Sequence, residues 1–329
     1  MIIVEELVKT FGKMVAVDRI SLEVREGELF GFLGPNGAGK TTTINILTTI
    51  MKPTSGRAIV GGYDVVSQAE KVRRIVGLVP QDITVDDDLT GWENLMLQSG
   101  LYHIPRAEAR DRCREVLELV GLSEASGRKV ETYSGGMRKR LELAAGLIHR
   151  PHILFLDEPT LGLDVQTRTA IWEYIRKLKK EYGMTIFLTT HYMEEADSLC
   201  DRIAIIDHGR IKAVDTPSKL KAGLGGNIIE LEVADNGVDI LPIIGRVDGV
   251  GKVLVNGGVV RVSVENGEES LPAILETLLK MNVSVSRVVM KKPTLDEVFL
   301  EYTGRKLREE VGSWDEVFRQ RAIIRRVRS

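Results

Sequence analysis

The sequence predicts an α/β fold built on a mostly parallel sheet, followed by a small α+β domain of ferredoxin-like type and a helical tail. Three observations carry that reading. Over the first two thirds of the 329 residues, short β-branched apolar runs alternate with helical patterns, the order expected of strands joined by helical crossovers. Runs such as "ILFL" at 153–156 are apolar without alternation, as in strands buried on both faces. After the glycine-rich break "AGLGGN" at 222–227 the texture changes to alternating strand patterns around one amphipathic helix.

Taken in order, the strand candidates are "GELFGFLG" (27–34), "RRIVGLVP" (73–80), "HILFLDEP" (152–159), "MTIFLTTH" (184–191) and "DRIAIIDHG" (201–209). Residues 40–51, 166–181 and 192–200 read as crossover helices. The stretch 90–121 is a charged and apolar helical block without an interleaved strand, and marks a helical subdomain of about 88–150 inserted between sheet elements. Past the break, "NIIELEVA", "GKVLVN", "GVVRVSVEN" and "VSVSRVVMKK" read as strands and "EESLPAILETLLKMN" as a helix. The expected division is therefore 1–222, 226–302 and a basic helical tail, 303–329.

Composition narrows the class. With 43% hydrophobic and 28% charged residues the chain reads as an ordinary soluble globular protein long enough for one large and one small domain. A formal charge of −2 gives no general attraction to nucleic acid, which is not an expected partner. Cys113 and Cys200 stand far apart with no Cys-x-x-Cys or His-rich companion, so neither a disulfide framework nor a zinc site is supported. The start lacks a basic region leading into an apolar core, and no apolar run approaches the ~20 residues of a membrane helix. The expectation is a cytosolic chain, held at a membrane only by something else.

The chemistry begins at "GPNGAGKT" (34–41). A strand, Gly-x-x-x-x-Gly-Lys-Thr and a helix follow one another, the context in which this pattern binds phosphate. Gly34, Gly37 and Gly39 let backbone N–H groups approach phosphates without interference from a Cβ, and the helix N-terminus adds positive potential. Lys40 is placed to meet β- and γ-phosphates and Thr41 to put its hydroxyl on Mg²⁺. The acidic half is "ILFLDEP": Asp157 ends a buried strand, where open parallel sheets bind ligands, and is the natural partner of Mg²⁺. Glu158, with no basic residue beside it in sequence, is suited to orient and deprotonate an attacking water.

A second glycine pair lies in "TYSGGMRKRLELAAG" (132–146). Ser134 suits an N-cap, and Gly135 and Gly136 leave free N–H groups at the mouth of a helix. Helix-end electrostatics contribute about 0.3–2 kcal/mol, whereas even millimolar binding needs about 4 kcal/mol. Without a lysine or a metal-binding aspartate beside it, this is half a site.

The order of the phosphate loop, Gln81 in "LVPQD", "YSGGM", "ILFLDEP", "LGLD" and His191 in "TTHYMEEAD" resembles the ATP-binding cassette (ABC) ATPase subunits over residues 2 to about 220. The resemblance implies a phosphate-loop NTPase cassette with a helical subdomain, and ATP and Mg²⁺ as cofactors. It implies two cassettes, expected as a homodimer, that pair head to tail so that the Ser-Gly-Gly helix of one closes over the ATP of the other. By position, Gly34, Pro35, Asn36, Gly37, Ala38, Gly39, Lys40, Thr41 and Thr42 hold the nucleotide and Phe11 stacks on adenine. Ser134, Gly135 and Gly136 meet the γ-phosphate in trans, and Asp164 crosses the interface. Gln81 joins metal and water to the helical subdomain, and His191 positions γ-phosphate and catalytic water beside Glu158. Two positions depart from the commonest signature, Leu-Ser-Gly-Gly-Gln: Tyr133 replaces leucine and Met137 replaces glutamine.

The appended domain ending "PTLDEVFLEYTGR" (293–305) resembles the daunorubicin-resistance type of exporter ATPase, which implies a separate ABC-2 type membrane permease as partner and a place on the cytoplasmic face of the membrane. Read physically, that ending is a cap and a helix, with Thr294 ahead of Asp296 and Glu297, and Leu295, Val298 and Phe299 on one face. Residue type does not separate a packing role for the domain from a regulatory one. Arg319, Arg321, Arg325, Arg326 and Arg328 make the tail basic, fitting anionic lipid, the permease or a helix packed on its own dimer. The translation-type ABC proteins usually carry two cassettes in one chain and the repair type a long coiled coil, and neither feature is present.

Overall fold

In the computed structural model, which describes residues 1–224, 226–233, 240–256, 259–281 and 283–304, the chain opens with β1 (Ile2–Phe11) and β2 (Met14–Val24). β3 (Leu29–Leu33) runs through the phosphate loop into α1 (Lys40–Leu47), and β4 (Ser55–Val60), β5 (Tyr63–Asp64), α2 (Ala69–Ile75) and β6 (Val76–Val79) follow. The helical block is α3 (Gly91–Leu101), α4 (Arg106–Leu119) and α5 (Gly135–Leu147), with a 3-10 turn at Val130–Thr132. Next come β7 (Ile153–Asp157), α6 (Val165–Tyr182), β8 (Thr185–Thr190), α7 (Met193–Leu199), β9 (Arg202–Asp207) and β10 (Arg210–Asp215). The chain continues with α8 (Pro217–Ala222), β11 (Asn227–Val233), the single turn α9 (Leu241–Ile244), β12 (Val250–Asn256) and β13 (Val259–Val264). It closes on α10 (Gly267–Lys280), β14 (Val285–Lys291) and α11 (Leu295–Thr303).

The predicted parallel sheet has the order β10-β9-β3-β8-β7-β6. β3, β7 and β8 are buried along their whole length, which is why their sequences show no alternation. Phe187 sits at the centre, its ring centroid 5.5–5.7 Å from those of Phe30, Phe32 and Phe155. The parallel registers Leu33↔Thr190 and Asp157↔Thr189 bring the carboxyl ends of β3, β7 and β8 side by side, so the loops that follow all open on one edge.

A second, antiparallel sheet, β2-β1-β4-β5, is not foreseen by sequence patterning. Its strands are interrupted: the β1–β2 register shifts between Val4 and Leu7 and again after it, and Glu6 and Arg19 take positive φ, so alternation is lost within a few residues. This sheet also braces the phosphate loop. A Cβ added to Gly39, whose φ is +103°, would lie 2.4 Å from the Ala16 carbonyl oxygen in β2.

The described residues divide into two compact units at 212/213, inside β10, whereas the sequence places the boundary at 222–226. α8 belongs to the second unit because it packs against α11. In that unit β12-β13-β11-β14 form an antiparallel sheet in the β-α-β-β-α-β order of a ferredoxin-like fold, with α9 reduced to one turn. Ile229, Leu231, Val260 and Val262 pack against Ile274 and Leu278 of α10. The cap-and-helix reading of α11 holds, with a reciprocal capping box between Thr294 and Glu297. The basic tail, apart from its first two residues, lies outside the described residues.

Candidate active site

The phosphate loop wraps the start of α1, and its glycines are enforced differently. Gly34 is confined, since a Cβ there would meet the Ile206 carbonyl oxygen at 2.4 Å, while Gly37 has a φ of +78° and open space around it. Asn36 and Gly37 are exposed at the crest, Pro35 and Thr42 are half-buried, and Ala38 is buried beneath them. Lys40 is only 5% exposed, and its Nζ donates to the carbonyls of Gly34 at 2.8 Å and Pro35 at 3.1 Å.

The same ammonium lies 2.9 Å from Glu158 Oε1. Glu158 Oε2 is in turn 2.6 Å from His191 Nδ1, so the carboxylate bridges the phosphate loop and the loop after β8. This corrects the picture of a glutamate without a basic neighbour: sequence adjacency misses partners brought in from β3 and β8. Burial pushes the Glu158 carboxyl up, but the His191 hydrogen bond and the Lys40 charge outweigh it, and the group is held below the usual carboxylate range. Its backbone takes a φ of +49°, rare for a residue with a side chain, and is pinned by its N–H, which donates to the carbonyl and hydroxyl oxygens of Thr189, each at 3.1 Å.

Asp157 faces the same edge and is 3% exposed. Burial raises its carboxyl pKa, and hydrogen bonds from Thr189 and Thr41 partly offset the shift. The Thr189 hydroxyl donates to Asp157 Oδ1 at 2.5 Å while accepting from the Glu158 N–H, so one threonine serves both carboxylates. Sequence reading passed over it, although its place directly before Thr190 and His191 at the strand end is the signal. Thr41 and Asp157 are brought together as two oxygen donors, a set that suits Mg²⁺, which commonly takes one or two protein oxygens and completes its shell with phosphate and water. Among the described residues no cluster of three His, Cys, Asp or Glu side chains could hold a metal.

Gln81 is exposed and is held through its backbone, its carbonyl accepting from Lys139. Phe11 is 43% exposed at the end of β1, with the Lys9 ammonium 5.2 Å from its ring centroid. The two remaining sets of residues are brought together with each other. Ser134 caps α5 by accepting the Met137 N–H at 3.3 Å, and Ser134 and Gly135 are exposed. A Cβ on Gly136 would fall 2.3 Å from Thr167 Cγ2, and the Thr167 hydroxyl donates to Asp164 at 2.7 Å. Asp164 is itself an exposed N-cap, for α6.

Tyr133, the departure from leucine, is buried and donates its hydroxyl to the Ala125 carbonyl at 2.7 Å, so it is a packing residue with a satisfied polar end. Glu195 was also missed. It is fully buried and accepts from the Thr160 hydroxyl at 2.8 Å and the Trp172 indole at 2.9 Å, joining the segment after Glu158 to α6 and α7.

A phosphate loop facing a Lys-Glu-His constellation and a Thr-Asp oxygen pair, all on one sheet edge, defines a nucleoside-triphosphate hydrolase. Residues 17–161 match the ABC transporter family, and residues 216–303 match the C-terminal domain of ATP-binding proteins of DrrA1-3-like type. Daunorubicin resistance ATP-binding protein DrrA2 of Streptomyces coeruleorubidus is 43% identical, over 92% of this chain and 94% of its own length. Linearmycin resistance ATP-binding protein LnrL of Bacillus subtilis is 39% identical over 93% and 99%. A dimeric bacterial ABC transporter cassette superposes with a TM-score of 0.60 at 30% identity, covering 66% of this chain and 98% of that one. This chain belongs to the ABC transporter family and is an ATP-binding ATPase.

Proposed function

We propose that the chain is the ATP-hydrolysing subunit of an exporter, powering a separate ABC-2 type membrane permease from the cytoplasmic face as a head-to-tail pair of cassettes with ATP at their interface. The observation that carries the paired reading is the joint exposure of Ser134, Gly135 and Asp164 in one place, joined through Thr167, while their side-chain bonds run to α5 and α6 and not to the phosphate loop. An anion-binding helix end so placed serves a neighbour. The export reading is supported by relatives named for resistance and for export, including Nod factor export ATP-binding protein I of Ralstonia nicotianae, 37% identical over 93% of this chain. Among the described residues no helix is long and apolar enough to cross a membrane, so transport by this chain calls for a partner that does.

In this reading residues 34–42 hold the triphosphate and Phe11 stacks on the base. Thr41 and Asp157, with Gln81 beside them, would hold Mg²⁺, which when bound would supply charge to offset that of the phosphates. Lys40 leaves Glu158 Oε1 for β- and γ-phosphate oxygens, and the freed carboxylate accepts a proton from a water. That water's oxygen bonds to the γ-phosphorus, and the bond to the β–γ bridging oxygen breaks, releasing ADP and phosphate. His191, whose Nδ1 is engaged by Glu158, keeps Nε2 for the γ-phosphate. Two ATP molecules favour the closed pair because only there does each γ-phosphate meet both halves of its site.

Glu158→Gln removes the proton acceptor and keeps the shape. Turnover is expected to fall ~10²–10⁴-fold, and size-exclusion chromatography with Mg-ATP is expected to show a trapped dimer. A monomer under those conditions overturns the paired reading. Copurification with an ABC-2 type permease tests the exporter assignment.

A further inference from the structure

Glu195 is the most deeply buried acid among the described residues, and no step above uses it. It stands in the first turn of α7, four residues after His191. Its Oε1 accepts from the Thr160 hydroxyl at 2.8 Å, and Thr160 lies two residues after Glu158. The chain thus runs from Glu158 to Thr160, crosses to Glu195 and returns to His191, and the 2.6 Å bond between Glu158 and His191 closes the ring. Sheet pairing aligns this part of the molecule only as far as Asp157 opposite Thr189. Past that edge the loop after β7 continues as turns, the Leu161 N–H donating to the Glu158 carbonyl and the Leu163 N–H to the Thr160 carbonyl, each at 3.2 Å. Such turns set local shape, and the Thr160–Glu195 bond supplies the span across to the neighbouring loop. Helix α6 braces the same span from one face: Trp172 donates to Glu195 Oε1 at 2.9 Å, and Arg168, one turn earlier, lies 4.3 Å from the centroid of the Tyr192 ring, which packs against His191.

We propose that Glu195 is a positioning residue for hydrolysis: by tying Thr160 to α7 it sets the separation of the two loops that carry Glu158 and His191, and keeps those side chains within hydrogen-bond distance once Lys40 turns to the nucleotide. The inference rests on the reading in which Glu158 accepts the proton of the attacking water beside His191. When Lys40 leaves Oε1, the Glu158 carboxylate keeps only His191 of its two partners described here. Its backbone, at a φ of +49°, is of a kind that persists only where the surroundings hold it, and Thr160 is the anchor on its far side. Neither loop can shift alone without breaking one of the two bonds of the ring.

A double-mutant cycle on ATP hydrolysis by the full chain, with rates taken over a range of Mg-ATP, tests this. Glu195→Met removes the acceptor and keeps much of the side chain's length. Its kcat is expected to fall about 10²-fold, the effect of a misplacement near 1 Å at the reacting groups, while KM stays within about twofold of wild type because the phosphate loop is untouched. Glu195→Gln, whose amide oxygen still accepts from Thr160 and Trp172, is expected to restore kcat. In the Glu158→Gln background, adding Glu195→Met is expected to lower turnover by less than about threefold, since residues that act as a unit are not additive, whereas a purely structural loss multiplies. If Glu195→Met does not fold, Thr160→Val, which removes one hydroxyl with little change of volume, carries the same cycle with a loss of about tenfold, the scale of one hydrogen bond to a charged group. Wild-type kcat in Glu195→Met or in its substitute, a loss that multiplies with Glu158→Gln, or no rescue by Glu195→Gln overturns the proposal. Undiminished turnover in Glu158→Gln alone overturns the reading of Glu158 as proton acceptor and the proposal with it, so the two failures are read from different variants.

Discussion

Thr189→Val isolates the contribution of one hydroxyl to Asp157, the carboxylate proposed to take Mg²⁺. The side chain is fully buried and valine has nearly its shape, so the donor is lost with little change of volume. The Glu158 N–H keeps the Thr189 carbonyl oxygen at 3.1 Å, so the Glu158 backbone is still pinned. Asp157 loses the 2.5 Å hydrogen bond that, with the one from Thr41, offsets its burial. A hydrogen bond to a charged group contributes about 1.5–3 kcal/mol, so the carboxylate form that a cation requires is disfavoured by roughly 10–150-fold. The assay is ATPase rate against Mg²⁺ at saturating ATP. The half-maximal Mg²⁺ concentration is expected to rise by about 10-fold or more, with Thr189→Ser restoring it. A half-maximal value within about twofold of wild type, in a protein with unchanged thermal unfolding, refutes the argument.

Other consequences follow from buried polar groups outside the reacting centre. Tyr133→Phe loses the bond to Ala125 and is expected to cost about 0.5–1.5 kcal/mol of unfolding free energy in denaturant titration, with turnover unchanged. Glu195 has its carboxyl pKa raised by burial, ahead of the opposing hydrogen bonds from Thr190, Thr160 and Trp172. A carboxyl whose folded value exceeds its unfolded one lowers stability as pH rises from the unfolded value through the folded value. Glu195→Gln is therefore expected to gain stability relative to wild type as pH increases over that window, measured by denaturant unfolding at a series of pH values. A difference independent of pH sinks that account.

The sequence made the parallel sheet readable because unbroken apolar runs such as "ILFL" leave little alternative once helices separate them. It made the phosphate loop readable because glycines there are set by local backbone geometry, as at Gly37 and Gly39. The β1–β2 sheet was not readable: bulges at Glu6 and Arg19 erase the two-residue period on which strand recognition depends. Nor were Lys139, Glu142 and Glu195, because a charged residue in a helix has the same local appearance whether it faces water or a buried loop carbonyl. The boundary near 212 escaped for a similar reason, since α8 is assigned by its long-range packing on α11 rather than by its own composition.

The pairing of Asp157 with Thr189 also bears on how the chain finds its native strand alignment. Where one sheet face is wet, a slip by one residue is penalised because apolar side chains turn outward. β7 and β8 are buried on both faces, so a slip of "ILFL" along "TIFL" exchanges one apolar neighbour for another and meets little such penalty. The polar residues at the strand ends discriminate instead: a displacement that places Asp157 across from Leu188 strands a buried carboxylate without a donor. The residues that bring Asp157 to the site are thus also the ones that proofread the fold.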